Sequence, residues 1–260
     1  MSFPLKVVNY SIYKSKQVFL PLLLSFPQKV ECNVCGWRGS GFLSDLWHKH
    51  ILCTLCGCGV RHRLFFAALQ NLDDFSFGCV LENRKILHFA PDEPLREKLR
   101  GKSSAYTTAD YFREGFDLKL DMSAMPEIEN ESFDVVIAFD VLEHVPDYQK
   151  ALAEVRRILT PKGLGIFTVP QKDNLLETLE DENINTPEDR LKHYGQDDHL
   201  RFFGDDFAAN VEKTGFLVTA IDETSFPEEM RQKNVLFPPQ LSDNPLATNY
   251  RKVFFCRKTA

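Results

Sequence analysis

Four cysteines stand in two Cys-x-x-Cys pairs, Cys32/Cys35 and Cys53/Cys56, with seventeen residues between the pairs. This spacing constrains the chain strongly, because two thiolate turns joined by a short returning segment close on one tetrahedral ion. A zinc-ribbon-like module and linking helix are therefore expected over residues 29–72, with structural Zn2+ held by Cys32, Cys35, Cys53 and Cys56. Four thiolates complete the shell and leave no open position for a catalytic water. Gly36 and Gly57 each follow the second cysteine of a pair, where the turn calls for positive φ. Cys58, His48, His50 and His62 lie close enough in sequence to replace one thiolate, so a Cys3His set stays open.

The remaining composition is that of an ordinary globular chain. With 260 residues, 43% of them hydrophobic, it can bury one sizeable core beside a small appendage. A net charge of −6 weighs against a surface built to hold a nucleic-acid backbone. The apolar stretch 18–26 is short and contains Pro21, which suits neither a secretory signal nor a membrane span. Reduced thiols and a cytoplasmic location are expected. Residues 1–28 mix apolar side chains with Lys6, Lys14 and Lys16, and fit packing on the domain or a weak peripheral contact with an anionic membrane surface.

Residues 61–72 show helical spacing and lead out of the module. Strands and helices then alternate: strand 85–90, helix 94–100, strands 105–108 and 133–139, helix 148–159, strand 164–169. Such alternation predicts an α/β fold, a Rossmann-like, seven-stranded, doubly wound sheet over residues 80–260. Asp147 stands where a helix N-cap belongs, and Thr160-Pro161-Lys162-Gly163 supplies the stop. A further helix at 205–214 is closed by Gly215, and strands are expected at 216–221 and 252–257. The proline-rich stretch 227–249 between them reads as a loop.

In such sheets, ligands bind beyond the carboxyl ends of the strands. The first strand runs Ile86-Leu87-His88-Phe89-Ala90-Pro91-Asp92, and the second ends at Asp110-Tyr111, where a carboxylate can accept both ribose hydroxyls of a nucleoside. Next come Asp121-Met122, Phe133-Asp134-Val135-Val136-Ile137, Val141-Leu142-Glu143-His144-Val145, the helical Leu152-to-Leu159 run and Pro161-Lys162-Gly163-Leu164. From residue 85 to about 221 this succession resembles the class I S-adenosylmethionine-dependent methyltransferases of the type 11 branch. His-Phe-Ala-Pro-Asp is similar to a His-Phe-Ala-Pro-Glu variant of its first motif, with His88 where an acid is usual and Ala90, Asp92 and Pro94 in place of glycines.

The resemblance implies S-adenosylmethionine as cofactor. It makes Phe89, Ala90, Pro91 and Asp92 the first cofactor loop, Asp110 and Tyr111 the ribose end, and Asp121 and Met122 the adenine contact. Phe139, Asp140 and the residues up to His144 become a wall near the methionine portion. Asp92 either accepts from the cofactor's ammonium group or caps the helix that starts near Pro94. For the acceptor, the polar stretch 189–201 offers His193, Tyr194, His199 and Arg201. His199, His193 and His144 are the candidate bases, and Tyr194 and Arg201 the candidate substrate contacts. A small molecule or glycan is the expected acceptor. An RNA methyltransferase and a cofactor-less scaffold are the alternatives. Nothing in the sequence sets the oligomeric state.

Overall fold

The structure, a computed structural model, describes residues 24–259. The expectation for segment 1–28 falls mostly on residues 1–23 and so lies outside the described residues. Strands β1 (Val30–Glu31) and β2 (Arg38–Gly39) pair antiparallel around the first cysteine pair, and an antiparallel bridge between Leu43 and Leu52 brings the chain back to the second. Helix α1 (Val60–Asn71) and the short α2 (Phe77–Val80) follow. The main sheet holds β3 (Lys85–Phe89), β4 (Ala105–Asp110), β5 (Leu118–Lys119), β6 (Phe133–Phe139), β7 (Leu159–Thr168), β8 (Phe216–Ile221) and β9 (Val253–Lys258). Its helices are α3 (Glu93–Arg100), α4 (Tyr148–Ile158), α5 (Pro187–Tyr194), α6 (Phe207–Glu212) and α7 (Glu228–Lys233).

The strand order is β5-β4-β3-β6-β7-β9-β8, parallel from β5 to β7, with β9 antiparallel to both of its neighbours. This is the expected doubly wound sheet of seven strands. Strands covered on both faces read as continuous apolar runs, and β6 shows why. Val135, Ile137 and Phe139 point into one core with Leu64 and Phe65 of α1. Val136 and Ala138 point into the other, with Ala151, Leu152 and Val155 of α4. Asp147 caps α4 as expected, its carboxylate accepting from the Lys150 amide at 2.9 Å.

Helix α1 is more than a linker. Nine of its residues, among them Arg63, Phe65 and Phe66, are buried, so it serves as one of the helices that cover the sheet. The Arg63 guanidinium, fully buried, donates to the carbonyls of Cys58, Asn234 and Val235 and lies over the Phe42 ring at 4.5 Å. One side chain thus joins the cysteine module to the segment after β8.

Two boundaries differ from expectation. Strand β7 begins at Leu159 and carries Thr160–Gly163 inside it, with a register shift opposite Phe133 and Val135 and Lys162 at φ 64°. The expected helix stop is therefore a strand irregularity. The stretch 227–249 is not all loop, since it contains α7. Acids Glu228 and Glu229 in the first turn of α7, and Arg231 and Lys233 in the last, complement the helix dipole.

His88 sits buried in β3, where its Nδ1 lies 2.7 Å from the Tyr106 hydroxyl and its Nε2 has no partner. Burial pushes its imidazole down to about 3, so the ring is neutral in the fold. An unfolded histidine titrates near about 6.5, so between these values the unfolded chain holds a proton that the native one lacks, and stability rises with pH. Chemical unfolding should therefore lose about 1 kcal/mol per pH unit from this site on acidification from about pH 6.5 to about pH 5. A His88→Gln chain is expected to show a shallower acid slope. An equally steep slope in that variant would contradict the assignment.

Candidate active site

Strands β3 and β6 are neighbours that lead away in opposite directions through the sheet, so their carboxyl ends flank the switch point. Both end in the same way. Ala90 has φ 45° and donates its amide to the Ala109 carbonyl of β4 at 2.7 Å, while Asp140 has φ 53° and donates to the Thr168 carbonyl of β7 at 2.9 Å. Each left-handed residue turns the chain off the sheet and opens a cleft between the exits. Its volume is ≈ 1450 Å³, and its walls include Asp92, Arg113, Asp140, Glu143, His199 and Arg251. Cys35, Cys56, Gly57 and Arg61 close it from the cysteine-module side.

Arg61, from the first turn of α1, reaches across this cleft. It donates to Asp92 at 2.7 Å and lies 3.3 Å from Asp140, which also accepts from Arg251 and from the Thr168 hydroxyl. Burial alone would raise both carboxyls. The Arg61 guanidinium and the His62 hydrogen bond hold Asp92 well below the usual carboxylate range, and Arg251 with Arg61 does the same for Asp140. His62 Nδ1 accepts from the Gly59 amide at 3.0 Å, which leaves the proton on Nε2, 2.8 Å from Asp92. The Asp92 side chain therefore makes no helix-capping bond, although the residue occupies the N-cap position of α3. Its carboxylate is held by Arg61 and His62 instead of capping the helix.

The other cofactor-side candidates divide by what they touch. Asp110, at the end of β4, accepts from the amides of Phe112 and Arg113 at 2.8 and 2.7 Å and from Arg113 Nε at 2.7 Å. Arg113 is largely exposed, its guanidinium lying over the Phe116 ring at 4.9 Å. Tyr111 is half exposed, its ring edge-on to Phe112 at 4.7 Å. Asp121 spends its Oδ1 on the amide and hydroxyl of Ser123, and Met122 is buried in the core on the α4 side of the sheet. Phe139 packs edge-on to Phe65 at 5.2 Å, which ties this wall to α1. Phe89 is buried, and Pro91 borders the cleft.

On the opposite side, the turn Leu142–His144 after β6 brings Glu143 and His144 up to His199. The two imidazoles lie 4.8 Å apart, edge to face. Burial, with His144 nearby, lowers His199 to about 4, so it is neutral at physiological pH. Burial and the Asp140 charge raise Glu143 well above the carboxylate range. Tyr194 lines the same region, its hydroxyl accepting from the Asp181 amide at 3.1 Å.

Two candidates stand apart from this group. His193 is exposed on α5, its Nδ1 2.9 Å from the Asp189 carbonyl, and does not border the cleft. Arg201 is fully buried, away from the cleft lining. Its donors go to Glu180 at 2.9 and 2.8 Å and to the carbonyls of Leu142, Val145 and Pro146. Arg61 and Arg251 join the site unannounced by any motif, whereas Glu143 belongs to the 139–144 segment that the resemblance places near the methionine portion. For Arg61 the available signal is a charge within an apolar run, since it opens a buried helix.

In the cysteine module, Cys32, Cys35, Cys53 and Cys56 bring their sulfurs within 4.8 Å of one another. Cys35 and Cys53 lie 3.7 Å apart and Cys32 and Cys56 3.8 Å, against the edge of about 3.8 Å that a Zn–S bond of about 2.3 Å gives a tetrahedron. Gly36 and Gly57 have φ 79° and 75°, and their amides close the turns on the carbonyls of Cys32 and Cys53 at 2.7 and 2.9 Å. Cys58 lies 3.3 Å from Cys32 but outside the set of four, and His48, His50 and His62 bond elsewhere. The donor set fits zinc.

Residues 96–167 match the family model of a methyltransferase domain. An uncharacterized protein of Methanocaldococcus jannaschii is 49% identical over 49 residues, 19% of this chain and 21% of the relative, so the match spans about a fifth of that protein. Among solved structures, an S-adenosylmethionine-dependent methyltransferase from Mesorhizobium loti aligns with a TM-score of 0.50 at 13% identity, over 77% of this chain and 100% of that one. The Burkholderia thailandensis 1,6-didemethyltoxoflavin-N1-methyltransferase, solved with S-adenosylhomocysteine, gives 0.47 at 15% identity over 77% and 79% of the two chains. Among the described residues, no helix is long and apolar enough to cross a membrane. Residues 96–167 are thus similar to a methyltransferase domain, and the seven-stranded sheet has the fold of the Mesorhizobium loti S-adenosylmethionine-dependent methyltransferase.

Proposed function

We propose that this chain is an S-adenosylmethionine-dependent methyltransferase for a small polar acceptor, such as a glycan or sugar-like molecule, with a structural zinc in its N-terminal module. The free cysteines support a cytoplasmic location for it. The observation that supports the reading best is the cleft at the β3/β6 switch point, with the Asp110 carboxylate at the end of the next strand over. Small-ligand pockets usually measure about 300–1,000 Å³, so ≈ 1450 Å³ leaves room for a cofactor and an acceptor together.

Bound S-adenosylmethionine supplies an activated methyl group, so the protein's task is largely to orient the acceptor. Asp110 would release Arg113 and accept the ribose hydroxyls. Phe139 and the loop 89–92 wall the methionine end. Across the cleft, Glu143, His144 and His199 present polar atoms to the acceptor, while Trp47, Tyr194 and Phe116 give it apolar flanks. Calorimetric titration with S-adenosylmethionine tests the core of the proposal. Each carboxylate hydrogen bond contributes about 1.5–3 kcal/mol, so Asp110→Ala should weaken binding by about 10- to 100-fold while the chain still unfolds cooperatively. No heat with the unaltered protein, or equal affinity in the variant, would refute this reading.

Metal analysis tests the module. About one zinc per chain is expected after purification, falling towards zero in Cys35→Ser together with a lower Tm. A fully folded Cys35→Ser chain with undiminished zinc would argue against the four-thiolate site.

A further inference from the structure

The arginines that reach into the cleft each have a carboxylate partner. Arg61 and Arg251 are matched by Asp92 and Asp140, and Arg113 by Asp110. Glu143, 1% exposed, is left without a cation of its own, and its Oε2 has no hydrogen-bond partner. A buried carboxylate without a counter-charge is costly, so its surroundings either keep it protonated or supply a positive ion. Beside it stands His199, 3% exposed, whose Nδ1 is also buried and unpartnered.

His144 completes the group with an oriented lone pair. Its Nδ1 lies 3.2 Å from the Asp198 carbonyl and 3.6 Å from the Asp198 carboxylate, which places the proton on that nitrogen. Nε2 is then an acceptor, 3.9 Å from Glu143 Oε1. An imidazole that gives one N–H to a carbonyl or carboxylate and keeps the other nitrogen free is the usual arrangement of a metal-ligating histidine. The potential ligand atoms of Glu143, His144 and His199 all lie within 4.8 Å of one another. With bonds of about 2.0–2.2 Å, ligands on a shared ion stand about 3–3.5 Å apart, so small side-chain rotations close the set.

We infer that Glu143, His144 and His199 form a second metal site, separate from the four cysteines, which takes an exchangeable divalent transition cation at the acceptor side of the cleft. Two imidazoles and one carboxylate suit manganese, iron, cobalt, nickel or zinc, and supply too few oxygens for calcium. Three protein ligands leave positions open toward the cleft, where an acceptor oxygen would bind and lose its proton more readily. That role rests on the methyltransferase reading above. The site itself does not.

The fully buried Arg201 gains a purpose here as a positioning residue. It holds the carbonyls of Leu142, Val145 and Pro146, and so clamps the turn that carries Glu143 and His144 against the loop that carries His199. The Leu200 amide adds a bond to the Glu143 carbonyl at 2.9 Å. The three ligands are thus held on one rigid unit.

The test is Mn2+ titration of the full chain carrying its cysteine-bound metal, followed by the loss of the free-ion electron paramagnetic resonance signal. One Mn2+ site is expected, with nitrogen couplings from imidazole in the pulsed spectrum. Glu143→Gln and His199→Ala should each weaken it by at least about tenfold, and His199→Ala should remove one nitrogen coupling. Zinc content and cooperative unfolding of the variants report whether they fold. A chain that binds S-adenosylmethionine yet shows no Mn2+ site up to millimolar ion, or a site without nitrogen coupling, overturns the inference and leaves the methyltransferase reading intact. Mn2+ binding without any cofactor binding upholds the metal site and removes only the role assigned to it.

Discussion

Arg61 is the side chain on which the arrangement of the cleft depends. It leaves the first turn of α1, directly after the cysteine module, and reaches Asp92 beyond β3 and Asp140 beyond β6. Those are the two exits of the switch point, so one guanidinium sets their separation. A buried pair offers little net stability compared with apolar packing, but removing one partner leaves the other charge stranded at a cost of about 3–5 kcal/mol. The bridge is therefore better understood as a device for geometry. It also makes the module part of the site: an ion bound by Cys53 and Cys56 would hold the start of α1, and with it Arg61 and His62.

The fold was largely legible in the sequence because its determinants are local. Period-two and helical spacing, the Asp147 cap and the Gly215 stop each act within a few residues, and β6 and β8 match their expected ranges. What escaped was decided by neighbours far along the chain. Strand β5 has only two residues and exists because Ala109 and Asp110 pair with it. Thr160–Gly163 carries every local mark of a stop, yet pairing with β6 draws it into β7. Helix α7 lies in a proline-rich stretch and is anchored by Arg63 and by the Asn234 side chain on the Glu31 carbonyl.

The site was legible by element and not by side chain. The sequence points to strand ends and to four cysteines, and the structure gathers those cysteines and brings His144 up to His199. The sequence does not show the partners of Asp92 and Arg201, because a charged residue near a cleft looks the same in sequence whether it faces a ligand or a buried partner. Arg201 satisfies its donors on Glu180 and three carbonyls, as a fully buried guanidinium must. Its partners lie 21 to 59 residues away along the chain, beyond the reach of any spacing argument.

The missing glycines of the first loop follow from the same contacts. A glycine would reach the left-handed region at no steric cost, whereas Ala90 at φ 45° and Asp140 at φ 53° each give up about 1 kcal/mol there. Each is held by an amide bond to the adjacent strand, and the residues that follow or carry them are gripped by charge: Asp92 by Arg61 and His62, Asp140 by Arg61 and Arg251. In a glycine-rich loop the backbone supplies the freedom and the ligand supplies the order. Here a helix borrowed from the cysteine module supplies the order beforehand, so the loop needs no glycine to turn and has its exits fixed before anything enters the cleft.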